Sequence, residues 1–194
     1  MSEIDWISDS IATIDGFLSD AECDDYIRFA EAIGFEEAMI STPTGMMMMK
    51  DVRNNDRVIV DDVERAQVLY QRLSHHLPSS FKHWWRPIGL NERLRLYRYD
   101  VGQLFNWHRD GHFQRAVGER SQFTFMVYLN DDFEGGATSF MNDDGVIGSG
   151  VLQITPVRGM ALLFHHPLLH RGDSVTAGRK YVLRTDVMYR QQVR

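Results

Sequence analysis

The sequence predicts an α+β chain that is mainly β: an antiparallel sandwich or jelly roll buttressed by helices at its N-terminal end. Three observations carry that reading. From Glu92 onward, six short segments rich in β-branched and aromatic residues succeed one another: RLRLYRYD, FTFMVYLN, GATSFM, VLQITP, GMALLFHH and KYVLRTDVMY. Gly, Asp, Asn or Pro punctuates most of the gaps, and no helical period runs among them. Ahead of Glu92, two stretches instead place apolar residues at helical spacing.

The first helix is announced by Ser19, with Glu22 three positions on in a capping-box arrangement. Cys23, Tyr26, Ile27, Ala30 and Ile33 then recur on one face, and Gly34 supplies a stop. DDVERAQVLYQRLSHHLP reads as the second helix. It is acidic at its start, carries Val63, Ala66, Leu69, Leu73 and Leu77 on one stripe, and meets Pro78 at its end. Between them, ISTPTGMMMMKDVRNNDRVIVDD holds turn residues, a methionine run and a strand candidate around Arg57–Val60. Phe81, Trp84 and Trp85 are expected to pack between helix and sandwich, and His75 and His76 to lie on the surface. With no repeat, low-complexity tail or linker, residues 1–194 read as one domain. Residues 1–91 form its helical buttress and a substrate-side strand, and 92–190 its jelly-roll core.

Composition removes several classes of function. The net charge is −6 and no run of lysine and arginine occurs, so the cationic footprint that nucleic acid requires is missing. No apolar stretch approaches the roughly 20 residues of a membrane helix. The start, MSEIDWISDS, lacks the basic and apolar regions of a secretory signal. Cys23 is the one cysteine, which leaves no internal disulfide and no multi-cysteine zinc site. The expectation is a cytoplasmic chain acting on a small-molecule or peptide substrate, without nucleic acid or membrane as partner. No pattern sets an oligomeric state.

The chemistry concentrates in FNWHRDGHF, residues 105–113. On a strand alternate side chains share a face, so His108 and Asp110 point one way, and Trp107 and Arg109 the other. LLFHHPLLHRGD offers three candidates for a third metal ligand: His165, His166 and His170. Two histidines with one carboxylate make the facial triad of non-haem Fe(II) oxygenases; a wet surface turn is the plain alternative for an isolated His-x-Asp. In GRKYVLRTDVMY, Lys180, Val182, Arg184 and Asp186 share one strand face. Cations turned toward a sandwich interior are costly unless an anion compensates them. Asp186, in an edge-strand ladder, or a bound dicarboxylate would serve.

Four segments, YRYDVGQLFNWHRDG, FMVYLNDDFEGGATSF, PVRGMALLFHH and LLHRGDSVTAGRKYVLRTDVMY, together resemble the Fe(II)- and 2-oxoglutarate-dependent dioxygenases of the prolyl 4-hydroxylase-like branch. The resemblance runs roughly from Arg93 to Tyr189, about half the chain. It implies a double-stranded β-helix, which agrees with the jelly roll read from strand count. It implies His108 and Asp110 as the first two iron ligands and His170, 62 positions after His108, as the third, with His165 and His166 near the site. Lys180, ten positions after His170, matches the basic residue that pairs with the far carboxylate of 2-oxoglutarate. Arg184 is the competing anchor, and Tyr99 is preferred to Tyr97 as the hydroxyl beside the same co-substrate.

The implied cofactors are Fe(II), 2-oxoglutarate and O2, with ascorbate as an optional accessory. The implied reaction hydroxylates an unactivated C–H bond of a prolyl or peptide, amino-acid or small-metabolite substrate and releases succinate and CO2. Related halogenases replace the triad carboxylate by a small residue; Asp110 therefore disfavours halogenation and leaves desaturation and cyclisation as variants. On the substrate side, Arg53, Asn55 and Arg57 form a polar cluster suited to a carboxylate or amide, or else a solvated turn. TGMMMM is an apolar lid or a plain loop. Arg109 and Arg115 flank the mouth or face solvent, and DDFEGG reads as a turn rather than a cation site. Two other readings compete: a non-catalytic jelly-roll module that binds metal or ligand, and a cupin-type metalloenzyme that does not use 2-oxoglutarate.

Overall fold

The computed structural model describes residues 3–38, 40–42, 45–47, 49, 52–141 and 150–192. A hairpin comes first, β1 (Ile4–Ser8) and β2 (Ile11–Ile14), followed by α1 (Asp20–Ile33). Three short strands, β3 (Glu36–Glu37), β4 (Ile40–Thr42) and β5 (Gly45–Met47), lead to β6 (Asp56–Asp61) and α2 (Val63–Ser74). Then come β7 (Trp85–Leu90), β8 (Arg93–Tyr99), β9 (Phe105–His108), β10 (Gln114–Ala116) and β11 (Glu119–Tyr128). The chain continues through β12 (Glu134–Gly135), β13 (Thr138–Met141), β14 (Val151–Ile154) and β15 (Ala161–His165). It finishes with β16 (His170–Gly172), β17 (Val175–Ala177) and β18 (Lys180–Gln191).

Both helices start where their caps require. Ser19 Oγ accepts from the Glu22 N–H and the Glu22 carboxylate accepts from the Ser19 N–H, which closes the capping box. Asp62 caps α2 by accepting from the Arg65 N–H at 2.9 Å. The second helix ends at Ser74, a few residues before Pro78.

Ten strands form the main sheet, in the order β1-β2-β15-β11-β18-β8-β6-β3, with β10 on β11 and β7 on β18. Facing it is a smaller sheet, β14-β13-β16-β9. Strand alternation divides the apolar residues of the main sheet between two layers. Leu94, Leu96, Phe125, Leu163 and Leu183 pack with the helices. Tyr97, Tyr99, Tyr128, Phe164 and Val182 pack between the sheets with Phe140. Each such side chain contributes about 1.5–3 kcal/mol when fully buried. The result is a jelly roll with helices on its outer face, as the strand pattern predicts.

The front of the chain supplies more sheet than its sequence suggests. Besides the helices and the expected strand β6, β1, β2, β3 and β7 join the main sheet. IDWIS is short and acidic, so its alternation is faint, and Pro87 in β7 argues against a strand except at an edge. β18 meets β8 through Arg184 and β7 from Val187 onward, so one long strand borders both. No helix among the described residues is long and apolar enough to cross a membrane.

Candidate active site

β9 and β16 are antiparallel neighbours in the small sheet, and their register puts His108 opposite His170. The two imidazoles sit with ring centroids 4.2 Å apart. The strand stops at His108, so Asp110 lies just past its end, held by its own N–H donating to the His166 carbonyl at 3.0 Å. His108 Nε2 is 3.7 Å from Asp110 Oδ1, and His170 Nε2 is 3.6 Å from Oδ2. Ligand atoms of all three residues lie within 4.8 Å of one another. Arg109 turns the other way, to the Pro167 carbonyl.

The donor set fits a ferrous ion. A carbonyl only accepts, so His108 Nδ1, 2.7 Å from Asn106 O, and His170 Nδ1, 2.9 Å from Leu168 O, carry the ring protons. Both Nε2 lone pairs are then free for a metal. Burial, with His170 alongside, pulls His108 down to about 3, and burial likewise lowers His170; both rings are neutral near pH 7. Burial alone would raise Asp110, but Arg184, His170 and His108 outweigh it and hold the carboxyl well below its usual range. Two neutral imidazoles and one carboxylate are ligands a divalent iron accepts.

A directional chain of hydrogen bonds ends on that carboxylate. Thr124, on β11, donates to Asp110 Oδ2 at 2.6 Å, and its oxygen lies 3.0 Å from His166 Nδ1. Since the threonine proton is committed to Asp110, His166 donates through Nδ1 and its Nε2 accepts from Ser121 Oγ at 2.8 Å. Burial lowers His166 to about 4, consistent with one ring proton. Arg184 Nη2 reaches the same Asp110 oxygen at 2.9 Å. Phe105 stacks on His108 at 3.5 Å and 17°. The sequence pointed to His166 but not to Thr124 or Phe105; the threonine's signal was its place in FTFMVYLN, on one face with Met126 and Tyr128.

Behind the histidines a narrow cavity of about 40 Å³ runs into the barrel between Tyr97, Tyr99, Phe105, Lys180 and Arg184. Lys180, only 2 % exposed, pairs in register with Tyr99 and holds its ammonium 5.3 Å from the ring centres of Tyr99 and Tyr128. Its one hydrogen bond among the described residues is to the Gly136 carbonyl, at 2.6 Å. That approach needs glycine: Gly136 has φ +62°, and a Cβ there would meet the Phe133 ring at 2.9 Å and Lys180 Cδ at 3.2 Å. Burial drops Lys180 to about 7. Tyr97 moves the other way from its neighbour. Burial would raise it, yet Arg184, Arg53 and Arg95 bring it to about 8, whereas burial lifts Tyr99 to about 12.

The expected substrate-side residues separate. The Arg53 guanidinium is sandwiched between Tyr97 and Phe105, 4.6 and 4.4 Å from their ring centres. Asn55, fully buried, accepts from Arg53 Nε at 2.7 Å. Arg57 is on β6, opposite Tyr97 of β8. His165 faces the helix-side layer against Phe81 and Phe123, away from the triad. Arg115 pairs with Glu92 at 2.7 Å. In the run Met46–Met49, Met48 and the side chains of Met46 and Met47 lie outside the described residues.

A jelly roll holding this centre beside a buried lysine defines a class, the Fe(II)- and 2-oxoglutarate-dependent dioxygenases. Residues 94–185 match the model of the 2OG-Fe(II) oxygenase superfamily. Prolyl 4-hydroxylase 1 of Arabidopsis thaliana is 27 % identical over 200 residues, covering 92 % of this chain and 68 % of that one. A further curated prolyl 4-hydroxylase relative is matched over only 32 % of its length. The viral collagen prolyl hydroxylase of Paramecium Bursaria Chlorella virus-1, solved as its 2OG complex, superposes with TM-score 0.60 at 23 % identity, over 93 % of this chain and 96 % of its own. A Trichoplax adhaerens prolyl hydroxylase, solved with a hypoxia inducible factor oxygen degradation domain peptide fragment, superposes with TM-score 0.68 at 16 % identity, over 92 % and 83 %. The matched family model, spanning just under half the chain, and the prolyl 4-hydroxylase relatives together support a prolyl 4-hydroxylase-like 2-oxoglutarate-dependent Fe(II) oxygenase. Its cofactors are therefore Fe(II), 2-oxoglutarate and O2.

Proposed function

We propose that this enzyme hydroxylates an unactivated C–H bond of a prolyl or other peptide, amino-acid or small-metabolite substrate, with succinate and CO2 as co-products. The carrying observation is the convergence of His108, Asp110 and His170 beside a cavity lined by both histidines and by the buried Lys180. When bound, iron with 2-oxoglutarate and O2 supplies the oxidising power. The chain supplies position and electrostatics. His108, Asp110 and His170 are the metal ligands in this reading, and Thr124 and Arg184 hold the Asp110 carboxylate at a fixed angle. Lys180 and the Tyr99 hydroxyl anchor the far carboxylate of 2-oxoglutarate. Arg184, already engaged by Asp110, steadies the metal end of the cavity rather than the far end.

Of the expected substrate-side residues, Arg53 and Asn55 form the substrate-side flank in this reading, while Arg57 lines a different cavity beside Gly34 and Glu36. Arg53 Nη2 is buried with no hydrogen-bond partner among the described residues, so a carbonyl or carboxylate oxygen would satisfy it. The names of the peptide-bound and collagen-acting relatives support a peptidyl substrate. The deciding experiment measures Fe(II)-dependent conversion of 2-oxoglutarate to succinate with proline-containing peptides and free amino acids, with products identified by mass. A gain of one oxygen in one substrate class is the expected result. Absence of iron-dependent turnover with every class would favour a binding module.

A further inference from the structure

The triad has a second open side. A separate cavity of about 250 Å³ is lined by Asp110, Gln122 and His166 together with Lys82, Trp85 and Arg120. It shares no lining residue with the barrel cavity, which takes His108 and His170. The triad thus borders two chambers, a co-substrate chamber lined by His108 and His170 and a front chamber lined by Asp110.

The front chamber is rich in donors and poor in acceptors. Gln122 is 6 % exposed, and its Nε2 has no hydrogen-bond partner among the described residues. Arg120 lies with its guanidinium 4.7 Å from the Trp85 ring centre, and its buried Nε is also without a partner among the described residues. Among those residues no carboxylate comes within ion-pairing distance of Arg120 or Lys82. Asp110, the one carboxylate in the wall, is taken up by Thr124 and Arg184. In a chain of net charge −6, a pocket where a partly buried guanidinium without an ion-pair partner among the described residues lies beside an idle buried amide donor, with the exposed Lys82 at its rim, is suited to an anion. A guanidinium stacked on an aromatic ring and flanked by an amide donor suits the planar, two-oxygen shape of a carboxylate.

We infer that the front chamber seats a carboxylate of the substrate, held by Arg120, Gln122 and Lys82, so that the enzyme acts on an organic acid rather than a neutral interior peptide segment. This rests on the proposed hydroxylase reading, and it seats the substrate's carboxylate on the Asp110 side of the triad, leaving the Arg53 flank to another part of the substrate. It narrows the substrate to free amino acids, peptides whose carboxyl end or acidic side chain lies next to the reacting residue, and other small acids.

The test titrates the full chain, loaded anaerobically with Fe(II) and 2-oxoglutarate, with matched pairs: N-acetyl-L-proline and its amide, N-acetyl-L-leucine and its amide. At least one acid is expected to bind tenfold or more tightly than its own amide, and Arg120→Gln to erase the difference. Fe(II) and 2-oxoglutarate affinities measured on the same variant confirm that it is folded. Equal binding of acids and amides, or binding of neither, overturns the assignment. So does a preference that survives both Arg120→Gln and Gln122→Leu, or one lost instead with Arg53→Gln, which would place the carboxylate on the opposite flank. A second equivalent of 2-oxoglutarate lost with Arg120→Gln would assign the chamber to the co-substrate and overturn it equally. Iron-dependent succinate formation in the absence of any probe is measured separately, and its failure would count against the hydroxylase reading alone.

Discussion

Replacing Lys180 by methionine should weaken co-substrate binding and strengthen the ligand-free fold at once. The ammonium is 2 % exposed, is bonded only to the Gly136 carbonyl among the described residues, and has a pKa near 7. An unfolded lysine titrates near 10.5, and that difference corresponds to on the order of 5 kcal/mol. The folded-state value is the lower one, so between about 7 and 10.5 the unfolded chain binds a proton that the folded chain does not. Stability should therefore rise with pH across that window, be fully relieved of the penalty above it, and be lowest below pH 7. Methionine keeps the length and removes the charge, so Lys180→Met should be the more stable protein at pH 6, by roughly 2–5 kcal/mol once water penetration is allowed for. Urea unfolding of both ligand-free proteins from pH 6 to pH 10 reads this directly, and the variant's curve should lose the slope. Binding should move oppositely. Truncating one partner of a buried charge pair costs about 2–5 kcal/mol, so Kd for 2-oxoglutarate should rise about 30-fold to several thousandfold. In the wild type, affinity should fall roughly tenfold per pH unit above about 7, because the neutral amine must first take up a proton. A variant no more stable than wild type at pH 6, with an unchanged Kd, would refute the reasoning. Loss of binding in Arg184→Leu alone would move the anchor to Arg184.

Other outcomes follow from the same geometry. Thr124→Val should lower Fe(II) affinity about 10- to 100-fold, and Thr124→Ser should restore it, in anaerobic metal titrations. His170→Gln should abolish iron retention, while His165→Gln, on the helix-side layer, should leave it intact as measured by metal content after gel filtration. Gly136→Ala should destabilise the chain by about 1–3 kcal/mol and raise the 2-oxoglutarate Kd, since the left-handed backbone and the Phe133 ring both oppose a methyl group. Asp110→Ala should eliminate activity; undiminished metal-dependent turnover would support a three-histidine centre.

The parts of this architecture that were legible in the sequence are those governed by local rules. Ser19 and Glu22 close their box because capping depends on residues three apart. The alternation of β18 placed Lys180, Val182 and Arg184 inward because strand period is geometric. His-x-Asp was legible as a pair, although the strand ends at His108 and a bond to His166, far along the chain, completes the placement. What local pattern could not carry was long-range pairing. The partnership of Thr124 with Asp110 and His166 needs three elements brought together, and the separation of His165 from His166 depends on which face β15 turns toward the helices. The N-terminal hairpin escaped because its strands are short and their alternation is mixed with charge.

The proposed iron ligands sit on or beside the small sheet, through β9 and β16, whereas Lys180 and Arg184 belong to the large one. A co-substrate gripped by metal at one end and lysine at the other would act as a rivet through the sandwich. Loading the enzyme should then slow amide exchange in β9 and β16, which among the described residues pair with each other, with β13 and, through a bridge from Phe105, with Arg53. If the product is succinate, as proposed, the loss of one of the keto acid's two donor oxygens at the metal end would loosen the rivet, so that departure of product and relaxation of the barrel would coincide.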